Sequence, residues 1–224
     1  MAYLNFREVE RAFAAYPVIT PSDLRLRFPY LGRTTIASWV SRGLLVRLRQ
    51  GYYRVASRPV TSHERYAIAN GIYAPSYVSV RAALGFYGFI PEGVFHVESV
   101  STLPTKRFQF NNTWYSYRRV KPSFFFGYRF IEQNGVRVMM ATPEKTILDV
   151  LYLHPDVDTV DDFESWRFDQ RGIVDAIDTA RMNDYLAVVS SRTLTRRYQR
   201  FNKWLHDLDR TDTRGLPGHV ARQG

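Results

Sequence analysis

The stretch from Leu31 to Val55, LGRTTIASWVSRGLLVRLRQGYYRV, changes its hydrophobic period partway along, and that change restricts the folds open to it. On a 3.6-residue repeat Ile36, Trp39, Val40 and Gly43 share one helical face. Thr34, Ser38, Ser41 and Arg42 share the other, with Thr35 beside them. From residue 46 the period drops to two. Val46, Leu48, Tyr53 and Val55 alternate with Arg47, Arg49, Tyr52 and Arg54 around a Gln50-Gly51 turn. The pattern predicts a helix with a polar, basic outer face followed at once by an arginine-rich hairpin.

That order of elements describes a winged helix-turn-helix, which lays one helix in the major groove of duplex DNA. Short hydroxyl side chains and arginine can meet base edges there, while cations on the hairpin meet phosphate oxygens. On this reading Thr34, Thr35, Ser38 and Arg42 reach bases, and Arg33, Arg47, Arg49, Gln50 and Arg54 hold phosphates. A solvated helix and hairpin on a basic surface is the alternative.

The flanking residues complete the unit. Phe6, Val9 and Phe13 predict a first helix over 5–15. Thr20-Pro21-Ser22-Asp23 opens a second with a hydroxyl cap, a proline in the first turn and an acid beside it. Leu24 and Phe28 supply its buried face, and Pro29 to Gly32 turns into the third helix. Residues 1–58 are therefore expected to form a winged-helix DNA-binding domain that closes at Ser57-Arg58-Pro59.

Thr61 to Glu64 begins another helix, running to about Tyr73, and Val80 to Tyr87 forms the next. From Phe95 the texture becomes strand-like. Val97, Val100, Phe108, Phe110, Trp114, Tyr115 and Tyr117 come first, then Phe124 to Ile131 and Val136 to Met140 on either side of Asn134-Gly135. Ala141-Thr142-Pro143-Glu144-Lys145 caps a helix lined by Ile147, Leu148, Leu151 and Tyr152. Further helical patterns surround Ile173 to Ala180 and Tyr185 to Val189. The fold class is α+β. Residues 59–190 form a larger domain with an antiparallel sheet and C-terminal helices, and 191–224 a basic helix and tail. In that last segment Leu194, Tyr198, Phe201, Leu205 and Leu208 lie on one side, with Arg196, Arg197, Arg200 and Lys203 around them. Residues from Thr211 onward are expected to fray.

Charge narrows the partners. The net formal charge is +10, and only Lys106, Lys121, Lys145 and Lys203 among the cations are lysine. Arginine forks suit phosphate, so the balance favours nucleic acid or a membrane surface. No apolar run approaches the ~20 residues of a membrane span. The opening MAYLNFREVE lacks the apolar core of a secretory signal, and the chain has no cysteine. A soluble cytoplasmic protein is the expectation. The charge is uneven: residues 1–60 carry +7, whereas 146–190 carry three cations against ten acids. Something other than a phosphate backbone faces that acidic band.

Catalysis finds little support. His63, His96, His154, His206 and His219 are scattered without ligand spacing, and no glycine-rich phosphate loop occurs. Asp156, Asp158, Asp161, Asp162 and Glu164 lack the glycine of a calcium loop and read as a capping loop. No enzyme activity, metal or cofactor is expected. The aromatic strands are expected to be mostly core, with a stacking surface for single-stranded nucleic acid as the alternative.

SYVSVRAALGFYGFIPE at 76–92 and ATPEKTILDVLYL at 141–153, downstream of RQGYYRV, resemble the AbiEi family of antitoxins, the regulatory halves of type IV toxin–antitoxin and phage-resistance operons. The resemblance covers roughly 1–155, and its motif positions are Tyr77, Ser79, Ala83, Leu84, Pro143, Glu144, Lys145 and Asp149. It implies a transcriptional regulator that binds inverted repeats in its own promoter and antagonises a nucleotidyltransferase-like toxin. Read from the residues alone, Glu144 is a first-turn acid and Lys145 with Asp149 an i,i+4 pair, a structural role. Direct toxin binding by the second domain, or ligand sensing by its aromatic sheet, are the competing functions.

Overall fold

The computed structural model describes residues 5–91 and 96–212, with side chains of the last helix described as far as Asp207. Glu92, Phe95, the side chain of Leu208, His219 and the tail beyond Asp212 lie outside the described residues. The chain opens with three short helices, α1 (Phe6–Ala12), α2 (Pro21–Arg27) and α3 (Arg33–Ser41), and an antiparallel hairpin of β1 (Leu45–Arg49) and β2 (Tyr52–Val55). The Thr20 hydroxyl accepts from the Asp23 amide while the Asp23 carboxylate accepts from the Thr20 amide, a reciprocal cap that fixes where α2 starts. Gly51, at a φ of 79°, makes the hairpin turn that a side chain would strain. Val9, Ile19, Leu24, Ile36, Trp39 and Val55 close a small core beneath these elements.

The rest of the chain runs α4 (Ser62–Ile72), β3 (Ser76–Val78), α5 (Val80–Phe86), β4 (His96–Ser101), β5 (Lys106–Phe110) and β6 (Thr113–Arg119). A 3-10 turn (Pro122–Phe124), β7 (Tyr128–Gln133), β8 (Val136–Ala141) and five helices follow: α6 (Pro143–Leu153), α7 (Val160–Ser165), α8 (Gln170–Ala176), α9 (Thr179–Val189) and α10 (Arg192–Asp212). The mixed α+β class follows directly.

The expected antiparallel sheet is in fact mixed. Its order is β5-β6-β4-β3-β8-β7, with β4 parallel to β6 and β3 parallel to β8. Composition explains the arrangement. Each hairpin places its apolar strand inward, β6 with Tyr115 and Tyr117 and β8 with Val138 and Met140. The charged strands, β5 with Lys106 and Arg107 and β7 with Arg129 and Glu132, go to the edges, where water meets their free backbone groups. A strand expected from Phe124 begins only at Tyr128, because Phe124 turns inward to lie over the Lys145 ammonium at 3.8 Å.

Alternation along the strands sends two sets of side chains to two layers. Val78, Val97, Tyr115, Tyr117, Val138 and Met140 pack with α4, while Tyr77, Val100 and Ala141 pack with α6 to α10. The last helix is not a separate basic appendage. Leu194, Tyr198, Phe201, Trp204 and Leu205 are buried in the second layer, and Arg197 is buried with them. Its guanidinium donates to the carbonyls of Leu151, His154 and Val157.

The expected boundary at residue 58 marks a change of element type, yet packing crosses it. Leu48, Val46 and Tyr52 of the hairpin join the α4 side of the sheet. Arg58 donates to Glu64 of α4 and to the Ala14 carbonyl, tying both halves to one side chain. Val18 sits against Gly71, where an added Cβ would lie 2.7 Å from its Cγ2. Gly71→Ala is therefore expected to destabilise the protein by about 1–3 kcal/mol despite alanine's higher helix propensity, as read by chemical denaturation.

Candidate nucleic-acid interface

Helix α3 presents the face that the 3.6-residue pattern assigns to it. Ile36 and Trp39 are buried, whereas Arg33, Thr34, Ser38 and Arg42 are exposed and Thr35 is half-buried. Gly32 is the N-cap and offers no side-chain bond, so the first-turn amides of α3 are not capped from within the motif. The Thr34 and Thr35 hydroxyls lie 3.5 and 3.9 Å from where a Cβ on Gly32 would stand. At the hairpin, Arg47 and Gln50 are exposed. Six of the nine side chains assigned to a duplex thus stand in water on adjacent elements: Arg33, Thr34, Ser38, Arg42, Arg47 and Gln50.

Arg49 and Arg54 do not. The hairpin slips register between Arg47 and Arg49, which breaks the strict alternation its sequence suggests. Arg54 pairs with Val46 across the hairpin, and that side, with Leu48 and Tyr52, packs on the sheet while Arg47 stays outside. Arg54 is 3% exposed, and its Nη2 donates to the carbonyls of Arg58 and Pro59. Burial lowers its pKa, with the Glu64 carboxylate opposing that shift. Arg49 donates through Nε to the Ile72 carbonyl at 2.7 Å, and its guanidinium lies 3.7 Å from the Tyr52 ring and 5.1 Å from that of Phe108. Arg49 holds the hairpin to α4 and Arg54 holds it to the segment that follows, and both are withdrawn from the phosphate set.

Sequence reading passed over the α2–α3 corner. Arg25, Leu26, Arg27 and Tyr30 are all exposed there, Leu26 at 87% and Tyr30 completely. Leu26 could have been found, since it stands opposite Leu24 and Phe28 on the α2 wheel. Nothing in the sequence marks Tyr30. From Leu24 through His63 the chain contains eight arginines and no acid, and the preceding Asp23 is bonded to Thr20 in the α2 cap.

The motif residues of the second domain converge on a different kind of site. Asp149 accepts from the Ser79 hydroxyl at 2.6 Å, from the Tyr77 hydroxyl at 3.4 Å and from the Lys145 ammonium. All four side chains are completely buried. Burial lowers the Lys145 pKa and raises that of Asp149, and their mutual attraction opposes both shifts. Burial, reinforced by Asp149, holds the Tyr77 phenol well above its ordinary value. Glu144, also buried, turns away and accepts from the Asp178 amide at 2.9 Å and from Arg181 at 3.4 Å, stapling α6 to α9. The cluster is a brace inside the core, with no surface to offer a partner.

The acidic band divides in two. Asp162 caps α7 through Thr159, and Asp158 is held by Arg197 and Arg200. Asp156, Asp161, Glu164, Asp175 and Asp184 are exposed on the layer of α6 to α10, across the sheet from the hairpin. Among the described residues no group of three or more His, Asp or Glu is placed to hold a metal ion, and no helix is long and apolar enough to cross a membrane. The sheet aromatics pack on one another, Tyr73 with Tyr117 at 4.7 Å and Tyr77 with Tyr128 at 4.9 Å, as the core reading expects. No protein-family model matches this chain, and no curated protein matches it.

The two roles assigned to hairpin arginines separate in a stability measurement. Arg54→Ala is expected to lower unfolding free energy by about 1–3 kcal/mol, because two carbonyls lose their donor. Arg47→Ala, at an exposed position, is expected to leave it within about 0.5 kcal/mol of the native value in the same denaturant titration.

Proposed function

We propose that this chain is a DNA-binding antitoxin of the AbiEi type that represses its own operon and antagonises a nucleotidyltransferase-like toxin. The observation that carries the DNA-binding part is the exposed set on α3 and the hairpin tip. Its hydroxyls and arginines lie within a forty-residue run free of acids. The three helices and hairpin are read here as a winged helix-turn-helix, with α3 as the element that enters the major groove. Thr34, Thr35, Ser38 and Arg42 meet base edges, while Arg33, Arg47 and Gln50 meet the backbone. The exposed acids Asp156, Asp161, Glu164, Asp175 and Asp184 lie on the layer of α6 to α10, away from the hairpin. The antitoxin part rests on the resemblance of the 76–92 and 141–153 blocks, and a nucleotidyltransferase-like gene immediately downstream would support it.

Direct contact with the toxin is a second reading, favoured by the exposed carboxylates of α7 to α9 and their distance from the arginine face. Replacing Asp175 and Asp184 with lysine should then abolish copurification with the toxin and leave duplex binding intact. Rescue of poisoned cells without any stable complex would favour indirect antagonism instead.

The DNA-binding reading is tested by gel shift on a duplex from the upstream region and on a scrambled duplex. Arg42→Ala should cost about 1–3 kcal/mol on the native sequence and narrow the gap between the two. Arg47→Ala should weaken both alike and reduce the salt slope by about one unit. Equal affinity of the native protein for both duplexes would remove the claim of sequence-specific repression.

A further inference from the structure

Among the described residues of the N-terminal unit, the α2–α3 corner holds the most exposed large apolar side chains. Tyr30 is completely exposed and Leu26 is 87% exposed, while Leu24 and Leu31 on either side are buried. A large ring and an isobutyl group left in water amount to unrealised hydrophobic free energy, which a partner recovers when it covers them. Exposed arginines flank the pair in sequence: Arg25 and Arg27 on α2, and Arg33 as the first residue of α3. The nearest acid in sequence, Asp23, is committed to the cap with Thr20. A surface that joins two apolar side chains to three cations, without a free carboxylate, complements a polyanion that carries apolar sugar and base surface.

We infer that Leu26 and Tyr30 form an apolar contact with duplex DNA, beside the α3 groove contacts, and that this contact takes up the anchoring role the buried hairpin arginines cannot perform. The inference rests on the DNA-binding reading above and extends it to residues of a different chemistry. Tyr30 lies two residues before Gly32, the uncapped start of α3, which sets it next in the chain to the end where α3 would present amides and Arg33 to a phosphate. The ring packs against the deoxyribose next to that phosphate, and its hydroxyl donates to the phosphate oxygen. Leu26 covers the neighbouring sugar. Neither contact reads a base. The pair therefore adds affinity without adding sequence preference.

The variants are Tyr30→Ala, Tyr30→Phe and Leu26→Ser in the full chain, positions where exposure makes a folding defect easy to exclude by circular dichroism. Binding is measured by fluorescence anisotropy with the upstream duplex and its scrambled counterpart across a salt series, and oligomeric state by sedimentation without DNA. Tyr30→Ala should weaken both duplexes about tenfold, and Leu26→Ser severalfold, with an unchanged salt slope because no charge is lost. Tyr30→Phe should recover most of the loss. Arg33→Ala, by contrast, should reduce the slope by about one unit. Native affinity in Tyr30→Ala alongside a loss in Arg42→Ala would overturn this inference and leave the DNA-binding reading standing. Absence of duplex binding by the native protein would overturn both. A change of oligomeric state in Tyr30→Ala without DNA would assign the patch to contact between copies of the chain and overturn the DNA contact.

Discussion

The β1–β2 hairpin has protein on both faces, and the rest of the structure depends on that. Leu45, Tyr53 and Val55 close the small N-terminal core, while Val46, Leu48 and Tyr52 close the α4 side of the sheet. One ribbon of backbone thus serves two cores. A guanidinium on the inner side costs desolvation energy, and it is tolerated because Arg54 meets two carbonyls and the field of Glu64. Arg49 does the same with the Ile72 carbonyl and two aromatic rings. The arrangement decides which cations remain for a partner. It also fixes the angle at which α3 leaves the body of the protein, since α3 and the hairpin share one core.

A second buried ion pair organises the far layer. Lys145 and Asp149 are one turn apart on α6, and the carboxylate reaches across to Ser79 and Tyr77. The next residue, Val80, sits at a φ of 51°, a conformation that a β-branched side chain adopts only under constraint. The Ser79 bond to Asp149 supplies such a constraint, joining the start of α5 to α6. Glu144 extends the same helix to α9. The 76–92 and 141–153 blocks, separated by 48 residues, are therefore joined into one brace through Tyr77, Ser79, Lys145 and Asp149.

Much of this was legible in the sequence, for reasons that also explain what was not. Thr20 with Asp23, Thr61 with Glu64 and Thr142 before Pro143 mark helix starts because capping is a local contact between residues three apart. The faces of α3 follow from a single period. Alternation along the hairpin groups Val46 and Leu48 with Tyr53 and Val55. In the structure Val46, Leu48 and Tyr52 face the α4 side and Leu45, Tyr53 and Val55 the N-terminal core. The pairing of Val46 with Arg54 and the irregularity between Arg47 and Arg49 decide which residues share a face. Arg54 was misplaced for that reason. Strand direction failed similarly: Asn134-Gly135 specifies a local turn, whereas the choice of β6 over β5 as neighbour to β4 is a competition between whole strands for burial. Arg197 shows the same gap, because three carbonyls at the end of α6 and in the loop after it had to converge before an arginine could be buried on an amphipathic helix.

The placement of charge has a consequence for any coupling between partners. Arg33, Arg42 and Arg47 are exposed on the unit that packs on the α4 side of the sheet, and Asp156, Asp161, Glu164, Asp175 and Asp184 on the other, so an anionic partner at the first set and a cationic one at the second would occupy opposite layers. The Coulomb interaction between the two occupants falls off within roughly a Debye length, about 8 Å at physiological salt. What one partner could tell the other must then pass through packed contacts: α6 against β8, the sheet, and the hairpin clamped by Arg49 and Arg54. Both ends of that route are braced by buried ion pairs or buried guanidinium bonds, which resist small displacement. A partner on the acidic layer can alter binding at the arginine face, if that face takes the duplex proposed above, only by supplying enough differential binding energy to shift the hairpin out of its seat, or by covering the arginine face itself. Independent binding at the two layers is what this architecture favours.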